Sequence, residues 1–251
     1  MVSKRTIVAV IATAVAFASA ASGVAQASTG QSRSRTAGCN PPPAPPMPPA
    51  NDFVSTVTNR YFPLQPGTTF RYRGQEEGDR VADRVVVTDA TKTILGVQAT
   101  VVLDHVALNG HRSERTSDWY AQDKDGNVWY LGESAFDFVH GHWVRASDSW
   151  ESGHRGAQPG IIMEAHPKVG DTYAQEHLPG TAMDMARVLS THTTVSVPAG
   201  TFSHAVKTHE CTPLEPGVVD VKYYGRGVGE VAEATVQGGS ARLVLVSVTH
   251  G

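Results

Sequence analysis

The sequence predicts an all-β protein: an antiparallel barrel or a strongly curved half-barrel, with at most one short helix. After residue 51, the chain consists of short segments rich in β-branched and aromatic residues, separated by Gly, Pro, Asn and Asp. Few windows keep apolar residues at helical spacing for three turns. Regular strand spacing without long helices is typical of antiparallel sandwiches and barrels.

The strand signal recurs along the whole of this region. The predicted strands are 68–73, 81–88, 96–108, 112–122, 127–132, 143–149, 171–177, 187–197, 202–212, 218–224, 229–236 and 241–248. One exception is Thr181-Ala182-Met183-Asp184, a capping-box pattern that predicts a helix of about one or two turns.

Three turns set the register of neighbouring strands. Gly126 suits the left-handed position of a three-residue hairpin loop. Gly200, after Pro198 and Ala199, suits the same position between Val197 and Thr201, and residues 237–240 close the last hairpin. The first loop predicts the cross-strand pairs Tyr120–Tyr130, Ala121–Trp129 and Trp119–Leu131.

Because side chains alternate along a strand, these pairs define two faces. The face expected to form the core holds Trp119, Ala121, Trp129 and Leu131. The opposite face holds Asp118, Tyr120, Gln122, Val128 and Tyr130. Its mixture of aromatic and polar groups suits either a wet outer surface or the wall of a binding cavity.

Composition predicts a single folded domain. The chain has 251 residues and is 40% hydrophobic, which is enough for a core. We interpret residues 1–27 as a signal peptide, 28–51 as a disordered Pro-rich linker and 52–251 as one β domain. With 24 acidic against 21 basic residues, the chain lacks the basic excess typical of nucleic-acid binding proteins.

The N-terminus predicts export. Lys4 and Arg5 precede the apolar run 6–21, and Ala25-Gln26-Ala27 fits a cleavage site after Ala27. The apolar run is shorter than the ~20 residues of a membrane-spanning helix. The alternative is a lipoprotein anchored at Cys39, but residues 32–35 separate this cysteine from the apolar run. We therefore expect a secreted protein.

Cys39 and Cys211 are the two cysteines of the chain. An even pair in an exported protein predicts a disulfide, with two unpaired thiols as the alternative. Two cysteines cannot form a Cys-rich zinc site.

No motif predicts a cofactor or a metal. The sequence contains no nucleophile elbow, phosphate-binding loop or dinucleotide fingerprint. Asp123, Asp125 and Asn127 resemble the start of a calcium loop, but Gly126 is at the wrong position and a hairpin turn is the simpler interpretation. His140 and His142 do not complete a known zinc pattern.

Carboxylates near aromatic residues are the remaining candidates for catalysis. Glu176 lies between Ala174 and Leu178 on one strand face, so burial is expected to raise its pKa. Paired with Asp118 or Asp184, it would supply the general acid and base of a polysaccharide hydrolase or lyase. The alternative is that these carboxylates are structural hydrogen-bond acceptors.

We favour a binding protein for a small amphipathic, lipid-like or glycan ligand, and expect it to be a monomer. The candidate ligand-binding residues are Tyr120, Tyr130, Gln122, Gln175, Glu210 and Tyr224. The hydrolase or lyase is the second hypothesis. A third is an envelope protein that associates through an exposed sheet face.

Several phrases resemble a family of secreted, mostly actinobacterial β-rich proteins with no assigned activity. They are residues 61–68 (YFPLQPGT), 118–123 with 126–130 (DWYAQD and GNVWY), 159–163 (PGIIM), 169–171 with 175–176 (VGD and QE), and 197–202 (VPAGTF). The resemblance covers about residues 52–248 and implies a curved antiparallel sheet around a cavity, lipocalin-like or similar. It brings no catalytic residues. Relatives are more acidic before Asp184, where this chain has Thr181 and Met183.

Overall fold

Alternation of apolar and polar residues makes most of the chain β-strand in the computed structural model, which describes residues 39–251. The predicted signal peptide lies outside the described residues. The strands are β1 (Phe53–Val54), β2 (Val57–Asn59), β3 (Phe62–Leu64), β4 (Thr68–Glu76), β5 (Asp79–Ile94), β6 (Val97–Leu108), β7 (His111–Asp123), β8 (Val128–Val139), β9 (His142–Arg145), β10 (Trp150–Glu151), β11 (Gln158–Met163), β12 (Thr172–Ala174), β13 (Glu176–His177), β14 (Met185–Val197), β15 (Gly200–Cys211), β16 (Val219–Gly225), β17 (Gly229–Gln237) and β18 (Arg242–His250).

These strands form a nearly closed antiparallel barrel, which confirms the predicted fold class. The main sheet runs β12-β14-β15-β16-β17-β18-β4-β5-β6-β7-β8-β11-β13. Its two ends belong to one short segment of chain. Tyr173 on β12 pairs with Ala186 on β14, and three residues later Glu176 on β13 pairs with Pro159 on β11. Residues 172–177 therefore bring the first and last strands of the sheet together.

The barrel interior is filled by side chains. Tyr120 pairs with Tyr130 as predicted, and both belong to the main hydrophobic cluster inside the barrel. Trp119 and Trp129 belong to a second, smaller cluster on the outer side of the wall, where Met47 and Phe53 pack against it. The residues expected to form the core therefore lie in this outer cluster, and they are buried because the N-terminal segment covers them. Both faces of this hairpin are buried.

Two predicted registers differ from the structure. A bulge between Trp119 and Tyr120 pairs Trp119 with Gly132 instead of Leu131. Gly132, at φ 134°, leaves no room for a Cβ, because the backbone oxygen of Trp150 would lie 2.5 Å from it. The later hairpin pairs Val197 directly with Gly200, so its loop has two residues instead of three. The loop at Gly126 forms as predicted, with φ 96° and a hydrogen bond from its N–H to Asp123 O.

The predicted helix at Thr181 does not form. Leu178 and Ala182 make an isolated β-bridge there. The carbonyl of Asp184 accepts hydrogen bonds from the N–H groups of Gln175 and Glu176, so the segment serves closure of the barrel. Within residues 39–251 the helical structure is a 3-10 turn, Ala50–Asp52, and no helix there is long and apolar enough to cross a membrane.

The N-terminal segment is attached to the barrel at two points. Cys39 and Cys211 form the predicted disulfide, with their Cα atoms 5.9 Å apart. The Pro-rich run 41–49 has no regular secondary structure. At its end, the N–H of Lys124 donates to Asp52 O, and Lys124 Nζ lies 2.9 Å from Asp52 Oδ1.

A short hairpin of β2 and β3 closes one end of the barrel. Phe62 inserts its ring against Tyr120, with centroids 5.2 Å apart. Buried Asn59 donates from Nδ2 to Gly126 O (2.8 Å) and Glu164 O (3.1 Å). Gln122 accepts a hydrogen bond from the N–H of Thr58 at 2.8 Å. These bonds fix the hairpin, called here the plug, over the barrel interior.

Candidate functional site

Two of the three residues predicted for catalysis, Asp118 and Glu176, lie in the barrel core, and Asp184 is half-buried. Asp118 is 0% and Glu176 1% exposed. Tyr130 links Asp118 to a carboxyl that the sequence analysis missed: its hydroxyl lies 2.7 Å from Asp118 Oδ1 and 2.9 Å from Glu133 Oε2. A phenol has one proton to donate, so one of the two carboxyls must itself be protonated and donate to the phenol oxygen.

Burial is the main cause of the raised pKa values in this group. It raises the pKa of Asp118 well above its usual range, and nearby Asp104 adds to the effect. Burial also raises the pKa of Glu133, as does the proximity of Glu176. The pKa of Glu176 is raised first by burial and then by Asp184, as its position between apolar neighbours predicted. Trp150 Nε1 donates to Glu176 Oε1 at 3.4 Å.

Three of the predicted ligand-binding residues contact one another: Gln175 and Tyr224 both donate hydrogen bonds to the carboxylate of Glu210. Glu210 accepts hydrogen bonds from Thr208 Oγ1 (2.6 Å), Tyr224 Oη (3.0 Å) and Gln175 Nε2 (3.2 Å). Lys222 Nζ lies 3.5 Å from Glu210 Oε2. All are buried, so they form a hydrogen-bonded unit within the core.

Lys222 is surrounded by carboxyls. Besides Glu210, its Nζ lies 3.9 Å from Glu230 and 4.0 Å from Glu233. Burial acts to lower the pKa of Lys222, but Glu233, Glu210 and Glu230 outweigh it and raise this pKa. Burial raises the pKa of Glu233 to about 8 although Lys222 opposes the shift. The cluster is a buried ion network with more acid than base.

Tyr120 and Tyr130 are packed and do not line open space. Their rings stack with centroids 4.7 Å apart and an interplanar angle of 18°, and both are fully buried. Asp184 lies near the Glu210 cluster, where burial raises its pKa to about 7 and Lys222 opposes this shift. A substrate from solvent would have to displace core side chains to reach Tyr120, Tyr130, Asp118 or Glu176, whereas Asp184 is partly exposed.

Open space lies instead at the plugged end of the barrel. A cleft of about 690 Å³ is bounded by the plug, the β7–β8 and β16–β17 turns, the loop before β12 and the middle of β14. Its lining residues are Thr58, Asn59, Arg60, Tyr61, Gln122, Asp125, Gly126, Ala165, His166, Pro167, Lys168, Thr191, His192 and Arg226. This volume is within the range of ligand pockets, roughly 300–1,000 Å³.

The cleft is rich in cations. Its lining contains three cations, Arg60, Lys168 and Arg226, and one carboxylate, Asp125. Arg226 is held in place because its Nε donates to Tyr61 Oη at 3.0 Å. Two polar residues of the lining are buried: Asn59 of the plug donates to Gly126 O, and Gln122 accepts from the N–H of Thr58 in the plug.

Gln122 is the predicted binding residue that lines this cleft. Arg60, Lys168 and Arg226 were not predicted from the sequence, because they come from separate loops and form no motif. Among residues 39–251 no three His, Cys, Asp or Glu side chains are grouped to hold a metal. The carboxylate of Asp123, considered for calcium, accepts hydrogen bonds from Asn127 and Trp129 Nε1.

Fold and cleft together define a nearly closed β-barrel with a plugged end and a basic, polar cleft. Comparison with known protein families finds no match, and neither does a search of curated proteins. Among solved structures, the chain is similar to a presumed lipoprotein from Parabacteroides distasonis, at 12% identity and a TM-score of 0.44. The similarity covers 76% of this chain and 99% of that one.

Proposed function

We propose that this protein is a secreted binding protein that holds a small acidic glycan in the cleft at the plugged end of the barrel. The observation that carries the proposal is the convergence of Arg60, Lys168 and Arg226 on one 690 Å³ cleft. They come from the plug, the loop before β12 and the β16–β17 turn, so the fold assembles the positive charge.

The lining favours a sugar acid over a lipid. Cations bind carboxylate or sulfate groups, and Arg does so with two parallel hydrogen bonds. Thr58, Thr191 and Asn59 add groups that can hydrogen-bond sugar hydroxyls. A lipid-like ligand would need an apolar cavity, whereas the interior next to the plug is filled by Phe62 and Tyr120.

Burial of the core carboxyls favours binding over hydrolysis. A glycoside hydrolase places its two carboxyls on either side of a bond of the substrate. Asp118 and Glu176 lie instead among core side chains, bonded to Tyr130 and Trp150. Their position suits the alternative to catalysis, in which these carboxyls are structural hydrogen-bond acceptors.

Secretion without a lipid anchor is part of the proposal. The leader pattern in residues 1–27 predicts export, and a disulfide is typical of proteins outside the cytosol. Lipid attachment at Cys39 would use the sulfur that is bonded to Cys211.

Affinity for digalacturonate, with maltose as the neutral probe, tests this function. We expect digalacturonate to bind and maltose to bind far more weakly. The double variant Arg60→Glu/Arg226→Glu should abolish binding, whereas Arg73→Glu on the outer wall of β4 should leave it unchanged. Equal affinity for both sugars, or unchanged affinity in the double variant, would refute the proposal.

A further inference from the structure

A row of four arginines and one histidine crosses the outer wall of the barrel, away from the cleft. Cross-strand pairing connects Arg71 to Arg84, Arg84 to His105, and His105 to Arg115. The row continues through Phe136 to Arg145. It therefore spans six adjacent strands, β4 to β9, and is called here the arginine row. Its five basic residues are exposed.

Acidic neighbours along the chain lie on the other side of the wall. Asp83 precedes Arg84, Asp104 precedes His105 and Glu114 precedes Arg115. All three acids are buried, at 4% exposure or less, since alternate residues of a strand face opposite sides. Burial raises the pKa of Asp83 and of Glu114, which favours the uncharged form of both carboxyls.

The arginine row lowers the stability of the sheet when no anionic partner is bound to it. Like charges directly opposite each other on neighbouring strands destabilise the pair, and Arg71 lies directly opposite Arg84. His105 lies between two of these arginines: burial is the main cause that lowers its pKa, Asp104 opposes the shift, and Arg84 and Arg115 lower the pKa further. An anionic partner would offset this repulsion.

We propose that the arginine row binds a chain of an acidic polysaccharide laid around the barrel wall. Neighbouring strands are about 4.8 Å apart, so the arginines of β4, β5, β7 and β9 lie one or two strand spacings apart, which suits a linear polymer with repeated negative charges. At one end, Arg115 lies over the rings of Trp143 (4.6 Å) and Phe136 (5.0 Å), which supply an apolar surface for sugar rings.

Curvature selects this occupant over other polyanions. The row runs across the strands, and therefore around the circumference of the barrel. A flexible glycan chain can follow that curve, whereas a flat anionic bilayer or a stiff DNA duplex would touch only part of the row. The site is separate from the cleft, which lies at the plugged end and takes its cations from loops and turns.

Binding to polygalacturonate, measured against uncharged amylose, tests the row. We expect selective binding of polygalacturonate that weakens as salt concentration rises. Arg71→Thr/Arg84→Thr should reduce affinity by about two- to fivefold for each arginine removed. Affinity should be retained in the matched control Arg187→Thr, which changes an exposed arginine of β14, and in the cleft variant Arg226→Ala.

Stability provides a second readout. If the row is under like-charge repulsion, the Arg71→Thr/Arg84→Thr variant unfolds at the same or a higher temperature in low salt. Lost binding would then not reflect misfolding. Equal affinity for amylose, equal loss in the Arg187 control, or stronger row-dependent binding to duplex DNA or phosphatidylglycerol vesicles would overturn the proposal. None of these outcomes bears on digalacturonate binding in the cleft.

Discussion

The hydroxyl oxygen of Tyr130 lies 2.7 Å from Oδ1 of Asp118, and both side chains are completely buried. The bond belongs to a core in which carboxyl groups replace part of the expected apolar packing. Ionised carboxylates at such positions carry a large desolvation cost, whereas protonated ones can both donate and accept. Burial therefore favours the protonated form of Asp118 and of its neighbour Glu133.

This core predicts that stability falls as pH rises. Burial raises the pKa values of Asp118, Glu133 and Glu176, so the folded chain binds more protons than the unfolded chain. Their contribution is complete below the unfolded pKa of about 4 and is lost as pH rises through the folded value. Each extra proton contributes a slope of about 1.4 kcal/mol per pH unit.

Urea unfolding between about pH 5 and pH 8 measures this slope. The pKa values of about 7 for Asp184 and about 8 for Glu233 place part of the loss within this window. Glu133→Gln, which keeps the shape of the side chain and cannot ionise, should flatten the profile. Stability that is constant or increases toward pH 8 would contradict the predicted protonated core.

Tyr130→Phe should lower the free energy of unfolding by about 1–3 kcal/mol, because it leaves Asp118 and Glu133 without their shared partner. The matched control is Tyr223→Phe, a half-buried tyrosine of β16. Chemical denaturation of both variants checks the prediction. An equal, small loss in both would show that the Tyr130 hydroxyl contributes little.

Lys222→Met should destabilise the barrel more at pH 8 than at pH 5. The variant removes the cation that Glu210, Glu230 and Glu233 share, so Glu230 and Glu233 lose its stabilisation as they ionise. The loss at the higher pH should reach about 3–5 kcal/mol. Adding Glu233→Gln should recover part of it; a loss independent of pH would contradict this account.

Removing the disulfide should lower stability by about 2–5 kcal/mol. The bond joins residues separated by 172 positions and so restricts a large loop in the unfolded chain. The Cys39→Ser/Cys211→Ser variant, compared in thermal unfolding with the parent protein, tests this. An unchanged unfolding temperature would mean that the plug and wall alone fix the N-terminal segment.

The strands were predictable because local rules determine them. Segments rich in β-branched and aromatic residues between turn residues located β4 to β8 and β14 to β18, and Gly126 located the turn that pairs Tyr120 with Tyr130. The interior side of that hairpin was not predictable, since the N-terminal segment buries the outer face as well. The short strands β10 and β11 lie outside the predicted segments and are defined by their pairing with β8.

The candidate site depended still more on distant contacts. Gln175, Glu210 and Tyr224 carry the right chemistry in the sequence, and only the wrapped sheet shows that they bond to one another in the core. Arg60 and Arg226 are isolated residues in turns. They line the same cleft because the plug lies across the end of the barrel. Tyr61 of the plug accepts a hydrogen bond from Arg226.

The central claim is that the basic cleft, and not the carboxyl core, receives the ligand. NMR chemical-shift mapping during titration with digalacturonate tests it most directly. We expect shifts at Arg60, Lys168 and Arg226, with Tyr130 and the Trp150 indole unaffected. Shifts centred on Tyr130, Trp150 and Glu176, or equal shifts with maltose, would contradict the claim.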